Sequence, residues 1–262
     1  MAYTTIDDPS AHFQTVLYTG SDDASATKVV TNDGNSDLQP DWLWFKRRNA
    51  SVNHAIQDTS RGIGNGISSS TDGAEVNDDY GVTAISSNGF SVRENAQAAG
   101  EINQGSMVCW QWKANGGTTS SNSDGDITAT VQANTTAGFS IVTYTGNANG
   151  SDQTVGHGLG AECKAVFQKM RTDTGQSWRI FHESVSQSGG GNLFLNGTSG
   201  LDTGDPARIK STNTSTFTLL AYTSPYNAVN ASGKDYVAYC FAEKKGYSKI
   251  GSYIGNGNND GT

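Results

Sequence analysis

The chain has 262 residues, 34% of them hydrophobic and 16% charged, with 32 glycines and a formal net charge of −8. That acidic balance has the wrong sign for long-range attraction to nucleic acid or an anionic membrane, and no apolar run approaches the roughly 20 residues of a membrane-spanning helix. Polarity comes mainly from Asn, Ser and Thr, which suit turns and solvent-facing strand positions, so the composition predicts an all-β protein with long polar loops.

In chain order, the N-terminal stretch Met1-Ala2-Tyr3-Thr4-Thr5-Ile6-Asp7-Asp8 has neither the basic region nor the apolar run of a secretory leader. Tyr3–Ile6 can open a sheet, and a strand over 13–18 follows. Trp42-Leu43-Trp44-Phe45 is apolar on both faces, which predicts a central strand or one whose second face is covered by a neighbouring unit. Further strands are expected at 54–58, 83–86 and 89–93; Gln97-Ala98-Ala99 has room for a turn of helix at most. At 108–113, Val108, Trp110 and Trp112 alternate with Cys109, Gln111 and Lys113, the period of a strand laid against a core. After a polar stretch over 115–126, Ile127–Val131 begins a second series, with strands at 139–144, 165–167, 178–182, 192–195, 216–222 and 237–241. The last segment, 247–255, again has strand character, and it predicts an added strand, a pairing with another chain, or the start of a third copy.

The second series repeats the first. Phe13-Gln14-Thr15-Val16-Leu17-Tyr18-Thr19-Gly20 recurs as Phe139-Ser140-Ile141-Val142-Thr143-Tyr144-Thr145-Gly146, displaced by 126 residues. Three later landmarks, at Trp44–Arg48, Gly89–Val92 and Val108–Trp112, recur displaced by 123, 127 and 129 residues. So small a drift means the same elements in the same order with short loop insertions. The expected organisation is two tandem β-sandwiches of jelly-roll type: a first repeat over 1–117, a linker over 118–126, a second repeat over 127–246, and an extra strand or truncated third repeat over 247–262. A closed barrel is the alternative.

No constellation suggests catalysis. His12, His54, His157 and His182 show no HxH or HExxH spacing, and surface or strand-end positions account for them. Gly156-His157-Gly158-Leu159-Gly160 lacks the GK[ST] ending of a phosphate loop and predicts a tight turn. Cys109, Cys163 and Cys240 have no CxxC spacing, which predicts buried, reduced thiols. Lys46-Arg47-Arg48 and its copy Lys169-Met170-Arg171 predict a solvated strand end. Asp33-Gly34-Asn35-Ser36-Asp37 places oxygen side chains at alternate positions, like part of a calcium loop, but a bidentate Glu is missing and Phe occupies position 45; calcium at Asp33, Asn35 and Asp37 is the one metal expectation, against Asx-turns. All five tryptophans are expected in the core, which leaves the loop tyrosines Tyr80, Tyr222 and Tyr226 as candidate glycan contacts. No other cofactor is expected. A depolymerase would need paired carboxylates, yet Asp41 aligns with Lys164 and Glu101 has no counterpart.

Phe13–Gly20, Leu38-Gln39-Pro40-Asp41-Trp42, Trp112-Lys113-Ala114-Asn115-Gly116-Gly117, Ala137–Gly146, Val155–Gly160 and Asp235-Tyr236-Val237-Ala238-Tyr239-Cys240-Phe241-Ala242 together resemble a repeat family. That family is found in virion structural proteins of tailed bacteriophages, especially marine ones of cyanophage type, and the resemblance spans essentially the whole chain. It implies a non-enzymatic virion surface protein, a tail-fibre or capsid-decoration module assembled in the host cytoplasm. Its implied partners are other virion proteins and further copies of itself, with host surface glycan as the ligand in the alternative, receptor-recognition role. The first copy has Gln111 where the second has Cys240, which argues against a redox or metal role for that thiol.

Overall fold

The computed structural model describes residues 4–23, 26–77, 81–93, 100–186, 191–204, 206–221 and 228–258. Strand makes up 42% of the chain and helix 3%, so the all-β class is observed. The first half contains β1 (Phe13–Thr19), β2 (Lys28–Thr31), β3 (Trp42–Arg47), β4 (Ala55–Asp58), β5 (Asn65–Ser68), β6 (Val76–Asn77), β7 (Val82–Ser86), β8 (Gly89–Val92) and β9 (Ser106–Trp112). The second contains β10 (Ser120–Asn122), β11 (Ala129–Asn134), β12 (Phe139–Thr145), β13 (Gln153–Gly156), β14 (Cys163–Met170), β15 (Arg179–His182), β16 (Ile209–Thr212), β17 (Thr216–Leu219) and β18 (Asp235–Ala242).

Both halves use one plan. β1-β9-β3-β4 form four neighbours of a six-stranded sheet, and β2-β8-β7 form a three-stranded sheet; β12-β18-β14-β15 and β13-β17-β16 repeat both orders. All named pairings are antiparallel, and the sheets end in open edges, which favours sandwiches over a closed barrel. The extra strands differ: β5 and β6 extend the first sheet beyond β4, whereas β10 and β11 extend the second beyond β12.

The repetition reaches the level of single hydrogen bonds. Tyr18 Oη donates to the Ile102 carbonyl, and Tyr144 Oη donates to the Val229 carbonyl at 2.9 Å. Asn103 Oδ1 accepts from Ser21 N at 3.1 Å, and Asn230 Oδ1 from Asn147 N at 2.9 Å. Gly20 and Gly146 are glycines because a Cβ would lie 2.2 Å from the Asn103 backbone and 2.3 Å from the Ala231 carbonyl. Two residues beyond each glycine, Asp22 (φ 55°) and Ala148 (φ 52°) share the left-handed backbone that this close approach imposes.

Three cores fill the gaps between the sheets. Val16, Leu43, Phe45, Met107 and Cys109 pack against Val30, Phe90 and Val92 in the first half. Val142, Tyr144, Val166, Tyr236 and Cys240 pack against Val155, Phe217 and Leu219 in the second. The third core lies between the two large sheets and joins Trp42, Ile56 and Ile67 to Phe139, Ile141, Trp178, Val237 and Tyr239. This explains why Trp42–Phe45 is apolar on both faces: its second face is covered by the other half. The central strands of each large sheet, such as β3, β14 and β18, are therefore covered on both sides and lose the clean inside-outside alternation of an ordinary sandwich, whereas the edge strand β1 keeps it.

Several expectations change. Trp42, Trp44, Trp112 and Trp178, expected in the core, belong to or pack against the shared seam between the halves and not the core within either half. The expected linker 118–126 contains β10, paired with β11 through Ser120↔Val131. Residues 4–7 form no strand; the segment preceding β1 is instead a 3-10 turn, Pro9–Ala11, capped by Asp8. Residues 192–195 make only isolated bridges. Residues 247–258 add no strand to a sheet, and Tyr253 and Ile254 are 93% and 98% exposed. Gln97-Ala98-Ala99 lies outside the described residues.

Candidate functional site

Seam geometry starts with a charged group that apolar burial alone could not tolerate. The Arg61 side chain is fully buried; its Nε is 2.5 Å from Asp58 Oδ2 and its Nη1 2.6 Å from Glu75 Oε2. Two further donors come from the second half: Tyr239 Oη to Asp58 Oδ2 at 2.7 Å, and Arg171 Nη2 to Glu75 Oε1 at 2.7 Å. Burial alone would raise the Glu75 carboxyl, but Arg171 and Arg61 hold it below its ordinary value. Nearby, Trp178 Nε1 donates to the Ser68 carbonyl at 2.8 Å. A second junction is neutral: Gln132 Nε2 donates to Thr59 Oγ1 and Ser60 Oγ, both at 2.9 Å.

Lys169 and Arg171, expected at a solvated strand end, are part of this junction. Lys169 is fully buried, and its Nζ donates to the Met170 carbonyl at 2.9 Å. Burial pulls its pKa down to about 8. The folded protein therefore binds fewer protons than the unfolded chain between about pH 8 and 10.5, and this group's contribution rises with pH across that window. Lys169→Met is expected to raise stability at pH 7 by roughly 1–3 kcal/mol. The gap from the parent protein should narrow as pH climbs through that window, which urea denaturation at a series of pH values will measure.

At one end of the seam aromatic rings wall a surface groove. Phe13 at the start of β1, Trp112 at the end of β9, Phe139 at the start of β12 and Phe241 near the end of β18 line a groove of about 240 Å³ together with Tyr247 and Ile250. Phe13 and Trp112 are 4.6 Å apart between ring centroids, Phe139 and Phe241 5.2 Å. Trp42 lies behind them, 4.5 Å from Trp112 and 5.5 Å from Phe139. Gly138 (φ 75°) turns the chain from β11 into β12, where a Cβ would lie 2.4 Å from the Ala242 carbonyl. The rim is polar. His12 meets Tyr247 edge-on at 6.1 Å, and its Nδ1 accepts from Asn134 Nδ2 at 3.0 Å. Burial and then the Lys113 charge lower the His12 pKa, and the bond from Asn134 to Nδ1 puts the ring proton of the neutral form on Nε2.

A larger, open hollow of about 480 Å³ lies on the second half, but its charged groups already have partners. Arg171 bonds Glu75, Asp235 accepts from Thr145 Oγ1 at 2.7 Å, and Asp126 accepts from Thr154 Oγ1 at 2.7 Å. The aromatic groove is thus the better candidate for a ligand, since a concave, mostly apolar wall with a few polar groups is the usual form of a binding site.

The residues singled out from sequence fall elsewhere. Tyr80, Tyr222 and Tyr226 lie outside the described residues. Asp33, Asn35 and Asp37 are exposed on a loop closed by internal bonds: Gly34 N to Gln14 Oε1 at 3.0 Å and Ser36 Oγ to Asp8 Oδ2 at 2.5 Å. Among the described residues, no group of three His, Cys, Asp or Glu side chains is placed to share a metal ion. His157 is fully buried, not at the surface; its Nε2–H donates to the Asn213 carbonyl at 3.1 Å and its Nδ1 accepts from Leu159 N at 3.2 Å. Asp41 accepts from Ala114 N at 2.7 Å, Gly116 N at 2.9 Å and Gly117 N at 2.7 Å, while Glu101 pairs with Arg47 at 2.6 Å. Both acids are tied into structure. The three cysteines are free and buried. Sequence reasoning missed the groove, although its signal was present: Trp112 and Phe241 are repeat equivalents, and so are Phe13 and Phe139.

Fold and groove define an all-β protein of β-sandwich type with a ring-lined cleft at its surface. The chain belongs to the family described as a domain of unknown function, DUF7483, whose profile matches residues 8–262. No curated protein and no solved structure matches it significantly.

Proposed function

We propose that this protein is a non-enzymatic structural module on the surface of a tailed-bacteriophage particle, either part of a tail fibre or a capsid decoration. The phrases shared with the virion repeat family support the particle assignment. The observation that carries the structural role is the seam. Two sandwiches joined through a common aromatic core and a buried ion network form a single body. In this proposal residues 1–117 and 127–246 are the duplicated units, 118–126 joins them, and 247–262 leads towards a neighbour. Its partners are other virion proteins, and its location is the assembled particle. Mass spectrometry and immunogold labelling of purified particles test this directly; a protein found only in the soluble fraction of the lysate defeats it.

The groove favours a second role, recognition of a host-surface glycan. At about 240 Å³ it falls below the roughly 300–1,000 Å³ of sites for drug-sized ligands, a size suited to one sugar ring stacked on an aromatic face. Glycan-array binding that Tyr247→Ala abolishes without lowering the melting temperature is the expected result for this role. Loss on Tyr226→Ala instead would move the contact to the loop tyrosines, and a blank array with the parent protein would exclude the role.

A further inference from the structure

Among the described residues, β1 is the one long strand edge that nothing guards. Its structural equivalent, β12, is paired on that same side by β11 through Asn134↔Phe139, Gln132↔Ile141 and Thr130↔Thr143. Among the described residues β1 has no such neighbour. The flanking bonds, Lys113 N to His12 O and Gly20 N to Gly105 O, fix which groups of β1 face β9. By antiparallel alternation, the N–H and C=O of Thr15, Leu17 and Thr19 are directed to the open side. Among the described residues no group bonds to them.

The other edges are guarded in the ways that usually prevent unwanted pairing. β6 has two residues and β10 three. β7 and β16 contain register shifts, and β2 begins with a lysine. β13 and β15 are partly covered by the bridges Ile127↔Val155 and Ile180↔Leu193. Over its seven residues β1 has no charge, proline or bulge, and it presents Leu17 at 60% exposure.

The occupant can be read from β1 itself. Thr15-Val16-Leu17-Tyr18-Thr19 is nearly palindromic. Turned about a two-fold axis through Leu17, it sets Thr15 opposite Thr19, Val16 opposite Tyr18 and Leu17 opposite Leu17 of the second copy. These are Thr–Thr, aromatic–β-branched and apolar pairs, all favoured across antiparallel strands. We infer that β1 is a dimerisation edge: two copies of this chain join antiparallel through β1, with Leu17 on the two-fold axis, and the two large sheets become continuous. An isologous contact of this kind closes on itself, so it stops at two copies. The inference gives a specific contact to the self-assembly expected of a particle component, but a solution dimer can be tested whether or not the protein belongs to a particle.

Sedimentation over a dilution series is expected to show a reversible dimer for the parent chain and a monomer for Thr15→Pro. That variant removes an edge N–H without touching the β9 ladder, so its far-UV circular dichroism should be unchanged. Leu17→Cys provides a test that does not depend on how well the proline variant folds. Residues facing each other in a hydrogen-bonded pair have Cα atoms about 5.5 Å apart, within the disulfide window of roughly 4.4–6.8 Å. Mild oxidation should therefore cross-link Leu17→Cys to a covalent dimer, with no competition from the three buried native cysteines. Val29→Cys, 67% exposed on β2, should not cross-link. A parent chain that stays monomeric, a dimer that survives Thr15→Pro, or equal cross-linking from both cysteine positions overturns the inference.

Discussion

Replacing Arg61 by alanine is expected to destabilise the protein by about 3–5 kcal/mol, the usual penalty for removing one partner of a buried ion pair. The guanidinium is fully buried between Asp58 at 2.5 Å and Glu75 at 2.6 Å, and it also donates to the Asn65 carbonyl at 2.9 Å. Burial alone would lower its pKa, but Asp58 and Glu75 more than compensate and keep it charged. Its loss leaves the Asp58 carboxylate in the seam with Tyr239 as its remaining side-chain donor. The midpoint of guanidinium denaturation will measure the effect. Acid titration gives a second readout. Because Glu75 is held below its ordinary value, the stability it contributes is fully present above about pH 4.5 and drains as pH falls through the lower folded value. Arg61→Ala should weaken that acid dependence; an unchanged midpoint and an unchanged acid limb would contradict the role given to the network.

Trp42→Ala is expected to cost about 3–5 kcal/mol by opening a cavity in the middle of the seam. Trp42 is fully buried and lies within 4.5–5.9 Å, centroid to centroid, of Trp44, Trp112, Phe139, Tyr239 and Phe241. Among the described residues its indole N–H has no acceptor, so ring packing is what holds it. Three of those rings belong to the second half, so truncation should also loosen the coupling between halves. Calorimetry is expected to show one cooperative transition for the parent and a broadened or split one for the variant. A single sharp transition displaced by less than about 1 kcal/mol would mean that the seam relaxes to fill the space.

Some of this was legible before any coordinates. Phe13–Gly20 and Phe139–Gly146 name the same strand, and both end in a glycine that a close backbone approach requires. Trp42–Phe45 announced a strand buried on both faces. The short, polar strands β2, β10 and β16 were not legible, because Lys28–Thr31, Ser120–Asn122 and Ile209–Thr212 are ordered by their neighbours and not by a strong period of their own. Nor was the groove. A ring at a strand end looks the same in sequence whether it faces a core or an opening.

The sequence by itself determined the strand period, the turns and the duplication, since these arise from backbone geometry and side-chain order within short stretches of chain. Tertiary structure alone decided that the two halves share a core, that Lys169 and Arg61 are buried within the protein, and that, among the described residues, β1 lacks the neighbour that β12 has. Those outcomes depend on contacts between distant residues, such as Tyr239 with Asp58 across 181 positions and Trp178 with Ser68 across 110. Local patterning shows that a face is apolar, but which distant surface covers it is settled only when the sheets pack.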